Sequence, residues 1–252
     1  MIIWLASYPK SGNTLIRSML SAYLYSQDGI FNFELLKKIY QFPDQKLFKN
    51  LGIDTDNELN VVKNYLKVQE EINKRDGKSV RFLKTHSSLN DINGHKFTNL
   101  ENTLGAIHIV RDPRDIMRSY ANQASISEEE AKNRILEIIT IGGKKDKKNK
   151  TVIHTGSWLT NYISWKEFKK TNKYLLMRFE DLTSEPEKNF LTILEFVHKL
   201  SNLKLKIDKN KFKNVLRTTS FEYLSNNLLP NNTEFTDSNI IYPKSNALTS
   251  NL

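Results

Sequence analysis

The sequence predicts an α/β fold in which a central parallel β-sheet is flanked by helices. Short apolar runs typical of buried strands occur at 2–6, 105–110 and 174–179. Turn or helix-start residues follow each run, which gives the alternation of strands and helices that a parallel sheet requires. No Pro/Gly/Ser-rich linker divides the 252 residues. We therefore expect one domain over residues 1–228 and a poorly ordered tail over 229–252.

The composition indicates which classes of partner and which cellular compartment fit this chain. The formal net charge of +10 favours anionic partners such as nucleotides, phosphates or sulfated compounds. The lysine run at 144–150 has no interleaved aromatic residue, so we interpret it as a solvated loop and expect no nucleic-acid partner. Without cysteine, disulfides and thiol nucleophiles are excluded, which fits a reducing compartment. No apolar stretch approaches the roughly 20 residues that cross a bilayer, so we expect a cytoplasmic protein with no membrane partner.

An anion-binding loop is predicted at residues 7–14, between the first strand and the first helix. Such a turn leaves unpaired backbone N–H groups at the helix start, where the peptide dipoles add partial positive charge. Gly12 lets the backbone approach a ligand, and the loop adds one full charge and three donors from Lys10, Ser11, Asn13 and Thr14. The phosphate-loop pattern G-x-x-x-x-G-K-[ST] does not fit, because Lys10 precedes Gly12. Taken alone, so short a motif also occurs in ordinary polar turns.

The next elements lead to a candidate base. Helical spacing of apolar residues predicts a helix over 15–24, and residues 28–78 have the pattern of helices and loops that cover the sheet. A strand at 80–86 then ends at His86. Ligands of open α/β sheets bind beyond the carboxyl ends of strands, and imidazole accepts a proton near neutral pH. The alternative is a structural histidine; the other histidines lack paired spacing, so no metal site is predicted.

A second polar group follows the strand at 105–110. Arg111 stands at its carboxyl end, Asp112 is suited to cap the next helix, and Pro113 is suited to be its first residue. The guanidinium of Arg111 supplies a forked, permanent charge for an anion. The alternative is an ordinary ion pair with Asp112 or Asp115.

The second half of the chain is predicted to be mainly helical. A capping box of Ser127 and Glu130 opens a helix over 127–141, and we interpret the lysine-rich stretch at 142–150 as a lid. A helix with aromatic residues along one side begins near Trp158. Beyond the strand at 174–179, helices are predicted over 186–200 and 208–216.

Several motifs resemble those of the cytosolic-type sulfotransferases. Six of the eight residues at 8–15 match the family's 5′-phosphosulfate loop, Y-P-K-S-G-T-T-W; Asn13 and Leu15 stand where Thr and Trp are usual. Further along, the chain has the family's Lys-Thr-His ending at His86 and an arginine followed eight residues later by a serine. Phe-Glu-Asp-Leu from Phe179 and Thr-Ser-Phe ending at Phe221 follow in the family's order.

This resemblance implies a P-loop-like fold and transfer of a sulfuryl group from 3′-phosphoadenosine 5′-phosphosulfate (PAPS), with 3′-phosphoadenosine 5′-phosphate (PAP) as product and no metal. The acceptor would be a small molecule with a hydroxyl or amine. By the resemblance, His86 is the catalytic base, Lys10 stabilises the leaving phosphate, and Arg111 with Ser119 binds the 3′-phosphate. The implied donor-binding residues are Lys10, Ser11, Gly12, Asn13, Thr14, Arg111, Ser119, Phe179, Thr219 and Phe221. Phe179 stands where the family usually has tyrosine near the adenine.

The resemblance covers residues 2–228 and then fails. Family members continue with an Arg-Lys-Gly run and a Gly-x-x-Gly-x-Trp-Lys segment that complete the 3′-phosphate site. Here no glycine follows Gly156, no arginine follows Arg217, and Lys244 is the one basic residue left in the tail. Three interpretations stay open. The chain is a sulfotransferase that holds its donor with fewer charges or with Lys244 or the basic loop as a substitute, a P-loop-type nucleotide kinase or phosphotransferase, or an inactive protein that keeps the nucleotide pocket.

Overall fold

A computed structural model describes residues 1–75, 80–142 and 151–227, so the predicted tail and all but the first residue of the predicted lid lie outside the described residues. The strands are β1 (Ile2–Ser7), β2 (Arg81–Thr85), β3 (Thr103–Val110), β4 (Ile139–Gly142), β5 (Val152–Gly156) and β6 (Tyr174–Arg178). The α-helices are α1 (Asn13–Tyr25), α2 (Gln45–Lys49), α3 (Glu58–Lys63), α4 (Tyr65–Lys74), α5 (Pro113–Ala124), α6 (Glu128–Leu136), α7 (Trp158–Lys166), α8 (Phe179–Ser184), α9 (Pro186–Leu200), α10 (Lys209–Thr218) and α11 (Phe221–Asn227). Short 3₁₀ helices lie at Phe33–Lys38 and Glu167–Thr171. None of the described helices is long and apolar enough to span a bilayer.

Four parallel strands form the central sheet in the order β2-β1-β3-β6. β1 is paired on both sides, with Leu5 opposite Lys84 of β2 and Ile107 of β3. On the far side of β3, Ile109 lies opposite Met177 of β6. Helices connect these strands, as parallel pairing requires. The predicted fold class is confirmed, and the carboxyl ends of all four strands lie at one edge of the sheet.

β1 is buried along its whole length because both of its faces are covered. Successive side chains of a strand point to opposite faces. Ile3 and Leu5 join an apolar cluster with residues of α1, α9 and α10, whereas Trp4 and Ala6 join a second cluster with residues of α3, α4 and α7. These two layers fix β1 in the interior and bring its polar last residue, Ser7, to the sheet edge where ligands of such folds bind.

Capping chemistry sets the starts of several helices. α5 begins at Pro113, as predicted, and α9 begins at Pro186, also as predicted; both prolines lack the backbone N–H that the first turn leaves unpaired. Side-chain oxygens accept hydrogen bonds from first-turn N–H groups at several helix starts, among them those capped by Asp112, Ser127, Ser157 and Asp208.

The helix predicted over 127–141 is wrong in its second half. α6 ends at Leu136, and Ile139–Gly142 form β4, which pairs antiparallel with β5. β5 was not predicted from the sequence. Ile139 and Ile141 are β-branched residues at alternating positions, which is the period of a strand. The capping box indicates only where a helix starts, so it carried no information about this end.

Candidate active site

The loop between β1 and α1 makes a tight turn at the carboxyl edge of the sheet. The N–H of Ser11 donates to the carbonyl of Tyr8 at 3.3 Å. Lys10 has φ 68°, a left-handed conformation that is uncommon for a residue with a side chain, and Gly12 has φ 91°. No described side chain caps α1. The N–H of Leu15 donates to the carbonyl of Gly12 at 3.1 Å, and the N–H groups of Asn13 and Thr14 are left for another acceptor. The positive end of the helix dipole lies at the same place.

Buried donors around this loop have no hydrogen-bond partner within the described part of the chain: Lys10 Nζ, Ser11 Oγ and Arg111 Nε. Burial, and to a smaller extent the charge of Arg111, lowers the pKa of Lys10 to about 8. Two cations held close together in a partly buried loop are unfavourable unless an anion joins them. Phosphate and sulfate oxygens accept hydrogen bonds from donors of this kind, so the loop and Arg111 fit a ligand that carries such groups. Across the described ranges, no cluster of three or more histidine or acidic side chains is arranged to hold a metal ion.

Arg111 is held against the loop and not by the carboxylates beside it. Its Nη1 donates to the carbonyl of Lys10 at 3.2 Å. The side chains of Asp112 and Asp115 pair instead with arginines of α5 itself. Burial lowers the pKa of Arg111, and the nearby carboxylates oppose that shift. The arrangement leaves the guanidinium at the loop, as an anion-binding role requires.

Phe179 covers the loop from the end of β6. The guanidinium carbon of Arg111 lies 4.4 Å from the centroid of its ring. The ring also lies so close to Gly12 that a Cβ at that position would be 2.2 Å from Cδ2 of Phe179. Glycine is therefore required at position 12 both for its positive φ and for this close approach. Residues from the ends of β1, β3 and β6 thus meet at one point.

His86 lies next to the end of β1, directly after β2. Its Nδ1 is 2.8 Å from the carbonyl oxygen of Ser7. A carbonyl oxygen only accepts hydrogen bonds, so Nδ1 carries the proton and Nε2 is the basic nitrogen. Burial first, and the charge of Lys84 second, hold the pKa of His86 well below its usual range. The ring is therefore neutral at pH 7, which is the state that a general base needs.

α7 fixes the backbone that carries His86. The side-chain amide of Asn161 donates to the carbonyls of His86 and Thr155, both at 3.0 Å. The indole N–H of Trp165 donates to the carbonyl of Ser87 at 2.8 Å. The contact between Asn161 and His86 was not predicted from the sequence. The sequence shows only that Asn161 lies one turn after the Ser157 cap, and that spacing does not indicate a partner.

Asn13 and Thr14, the last residues of the loop motif, differ in where their side chains lie. Asn13 is buried, and its Nδ2 donates inward to the carbonyl of Leu5 at 2.9 Å and to Oγ of Ser7 at 3.0 Å. Thr14 is half-buried on the first turn of α1. Donor binding by these two residues stays a prediction.

The remaining predicted donor-binding residues lie on helices beyond the loop. Ser119 is buried on α5, two turns beyond Arg111. Thr219 closes α10, where its hydroxyl donates to the carbonyl of Val215 at 2.8 Å. Phe221 begins α11 and is 39% exposed. Their contacts with a nucleotide stay predictions.

The fold and the loop together place the chain among the α/β proteins that bind phosphate-like anions at the start of a helix. Within that class, the model of the sulfotransferase domain family matches residues 2–249, and the chain belongs to this family. The resemblance drawn from the motifs of the sequence is confirmed.

Several known proteins are similar to this chain. Human sulfotransferase 1C2 is 24% identical over 157 residues, which are 61% of this chain and 47% of the human protein. The mouse sulfotransferase SULT7A1 complexed with PAP has a TM-score of 0.55 at 18% identity, over 90% of this chain and 66% of that one. A retinol dehydratase in complex with retinol and PAP has a TM-score of 0.51 at 17% identity, over 96% and 71%. These structures share the fold, and the match spans about half the length of the human relative.

Proposed function

We propose that this protein transfers a sulfuryl group from PAPS to a hydroxyl or amine of a small-molecule acceptor. The observation that carries the proposal is a set of buried donors at the same sheet edge as the neutral ring of His86. These donors, which have no hydrogen-bond partner among the described residues, are Lys10 Nζ, Ser11 Oγ and Arg111 Nε. Membership of the sulfotransferase domain family supports it. The PAP bound to the mouse sulfotransferase supports the choice of donor, and the retinol and androsterone bound to retinol dehydratase support a small-molecule acceptor.

In this proposal His86 and Lys10 act on the two sides of the transferred group. Nε2 of His86 takes the proton of the acceptor hydroxyl or amine as the acceptor atom forms its bond to sulfur. The bond between sulfur and the bridging oxygen breaks, and PAP leaves with the electron pair. Lys10 and the first N–H groups of α1 stabilise the charge that grows on that bridging oxygen. Positioning and electrostatics supply most of the acceleration, as in phosphoryl transfer.

The rest of the donor site would recognise the nucleotide. Arg111 and Ser119 bind the 3′-phosphate, and Phe179, Thr219 and Phe221 contact the adenine. An aromatic ring needs only an apolar plane to stack on a base, so Phe179 serves without the hydroxyl of a tyrosine. The donor is then held by the loop, by α5 and by the start of α11.

Calorimetric titration with PAP, with 5′-AMP and with ATP plus magnesium tests the donor site. We expect tighter binding of PAP than of 5′-AMP, because only PAP carries the 3′-phosphate that Arg111 contacts. Arg111→Ala should remove this preference and leave 5′-AMP binding nearly unchanged. The matched control is Arg114→Ala, since the Arg114 side chain is 79% exposed and pairs with Asp112. Preference for ATP with magnesium would support a nucleotide kinase instead.

Turnover is tested by following PAP release from PAPS in the presence of phenols, aliphatic alcohols and amines. Release that depends on an acceptor supports the transferase. Tight PAP binding without acceptor-dependent release from any of these classes would favour the inactive nucleotide-binding protein.

The proposal places the reaction in the cytoplasm, with a diffusible acceptor and with neither nucleic acid nor membrane as partner. A sequence without cysteine fits a reducing compartment, and an anionic donor accounts for a net charge of +10. Binding to random oligonucleotides that weakens steeply with salt would contradict this part of the proposal.

A further inference from the structure

We propose that Asn13 and Ser7 are positioning residues for His86 and that the side chain of Asn13 does not bind the donor. The inference rests on the proposed function, in which His86 is the base. The resemblance implies that Asn13, which stands where the family has threonine, binds the donor; the inference gives its side chain a different role.

The three side chains form one buried chain of contacts. Nδ2 of Asn13 lies 3.0 Å from Oγ of Ser7, and that Oγ lies 3.2 Å from Nδ1 of His86. Ser7 is fully buried, Asn13 is 4% exposed and His86 is 5% exposed. Buried hydrogen bonds that do not compete with water hold their groups in one geometry. The contacts join the end of β1, the start of α1 and the end of β2.

The hydrogen-bonding capacity of Asn13 argues against a direct role in donor binding. A side-chain amide has two N–H bonds. In Asn13 both are directed inward, one to the carbonyl of Leu5 at 2.9 Å and one to Oγ of Ser7. The remaining atom, Oδ1, can only accept, so it would repel an anion. The backbone N–H of Asn13 does not take part in these side-chain contacts. In this inference, any hydrogen bond from Asn13 to the donor phosphate comes from that N–H.

Ser7 acts on His86 through two oxygens. Its carbonyl at 2.8 Å fixes the proton on Nδ1, and Oγ at 3.2 Å is a second acceptor for the same N–H. When Nε2 takes a proton, the positive charge spreads over the ring, and hydrogen bonds to a charged donor are stronger than neutral ones. Oγ therefore stabilises the protonated ring more than the neutral one. Asn13 keeps Oγ in place by donating to it.

The test measures three quantities in Asn13→Ala, Ser7→Ala and the double variant: the titration of His86 by NMR, the dissociation constant of PAP, and kcat with PAPS and the best acceptor found. The His86 signal is identified by its absence from His86→Gln. The charges of Lys84, Arg17 and Lys10 also act on His86, and all three residues are unchanged in these variants.

We expect each single variant to bind PAP within about twofold of the wild type and to protonate His86 at lower pH. kcat should fall about tenfold, the worth of one charged hydrogen bond. Because Asn13 acts through Ser7, kcat of the double variant should fall no further than kcat of Ser7→Ala alone. Ser7→Thr, which keeps a hydroxyl, should restore the titration of His86.

Two results would overturn the inference: weaker PAP binding in Asn13→Ala with an unchanged His86 titration, or additive losses in the double variant. If Asn13→Ala does not fold, Ser7→Ala alone carries the test, since it removes the same contact to His86 and keeps the bond from Asn13 to Leu5. Failure of the proposed function would look different. The wild type would then not bind PAP, while the NMR titration would still report whether Ser7 and Asn13 act on His86.

Discussion

In the proposed function, Lys10 is a residue that is unfavourable for folding but needed for turnover. Its Nζ is buried and has no hydrogen-bond partner among the described residues, and Arg111 lies against the same loop. Lys10→Met keeps most of the aliphatic stem and removes the charge. We expect turnover to fall roughly a hundredfold to a thousandfold, which is the usual effect of removing one preorganised donor. Thermal unfolding should not shift downwards, because an uncompensated buried charge is removed.

The control for this variant is Lys169→Met, since Lys169 is exposed in the 3₁₀ helix after α7. It should leave turnover and unfolding unchanged. Turnover of Lys10→Met close to that of the wild type would refute the role of Lys10 in stabilising the leaving group.

The pH dependence of kcat/KM, which reports the ionisation of the free enzyme, tests the role of His86. Burial lowers its pKa in the folded protein, and only the neutral ring accepts a proton. Activity should therefore persist as the pH falls below about 6.5, the ordinary histidine value, and decline only at the lower pKa of the buried ring. His86→Gln should abolish turnover while PAP binding is kept. A half-loss of kcat/KM in the wild type near pH 6.5 would contradict the role of His86 as the base.

At the scale of elements, the contact between the loop and α8 explains why Gly12 cannot be replaced. Gly12→Ala would place a methyl group 2.2 Å from the ring of Phe179, and its φ of 91° adds backbone strain. Gly52→Ala is the matched control, because Gly52 has φ 69° and no atom of the described residues lies within 4 Å of the position that a Cβ would take there. We expect Gly12→Ala to lower the free energy of unfolding by more than Gly52→Ala, whose cost is about 1 kcal/mol of strain.

The ring clash can be separated from the strain by removing the ring. In a Phe179→Ala background, Gly12→Ala should lower the free energy of unfolding by about as much as Gly52→Ala does in the wild type. Denaturant unfolding of the four variants checks this. If Gly12→Ala lowers the free energy of unfolding equally with and without the Phe179 ring, the ring must move aside to accept the methyl group.

The same elements show what the sequence could predict and what it could not. The carboxyl ends of β1, β2, β3 and β6 were predicted, because apolar runs and polar strand ends are local features of the chain. That placed Lys10, His86 and Arg111 at one edge of a sheet. The side-chain direction of Asn13 was not predictable, because spacing locates a residue on an element but not its partners. β5 was missed because a five-residue strand, paired with β4, is too short to show a strong pattern of its own.

At the scale of the whole molecule, burial of neutral histidine in the sheet links folding to pH. His108, on β3, is 1% exposed, and its Nδ1 lies 2.7 Å from the hydroxyl of Tyr174 on β6. Desolvation lowers its pKa to about 3 in the folded protein. In the unfolded chain the value is about 6.5. Above that pH neither state binds a proton, so His108 causes no pH dependence there.

Between these two values the unfolded state binds a proton that the folded state excludes, so stability falls as the pH falls. For one such histidine, each pH unit costs up to about 1.4 kcal/mol of unfolding free energy. The pKa of His86 is also lowered in the folded protein, so His86 likewise makes stability fall as the pH falls. His108→Phe keeps a ring in the sheet and removes the titrating group. We expect it to flatten the pH dependence between pH 7 and pH 5, measured by denaturant unfolding, although the unpaired Tyr174 hydroxyl lowers stability at every pH by roughly 1–3 kcal/mol. An unchanged slope in His108→Phe would show that other groups determine the acid sensitivity of the fold.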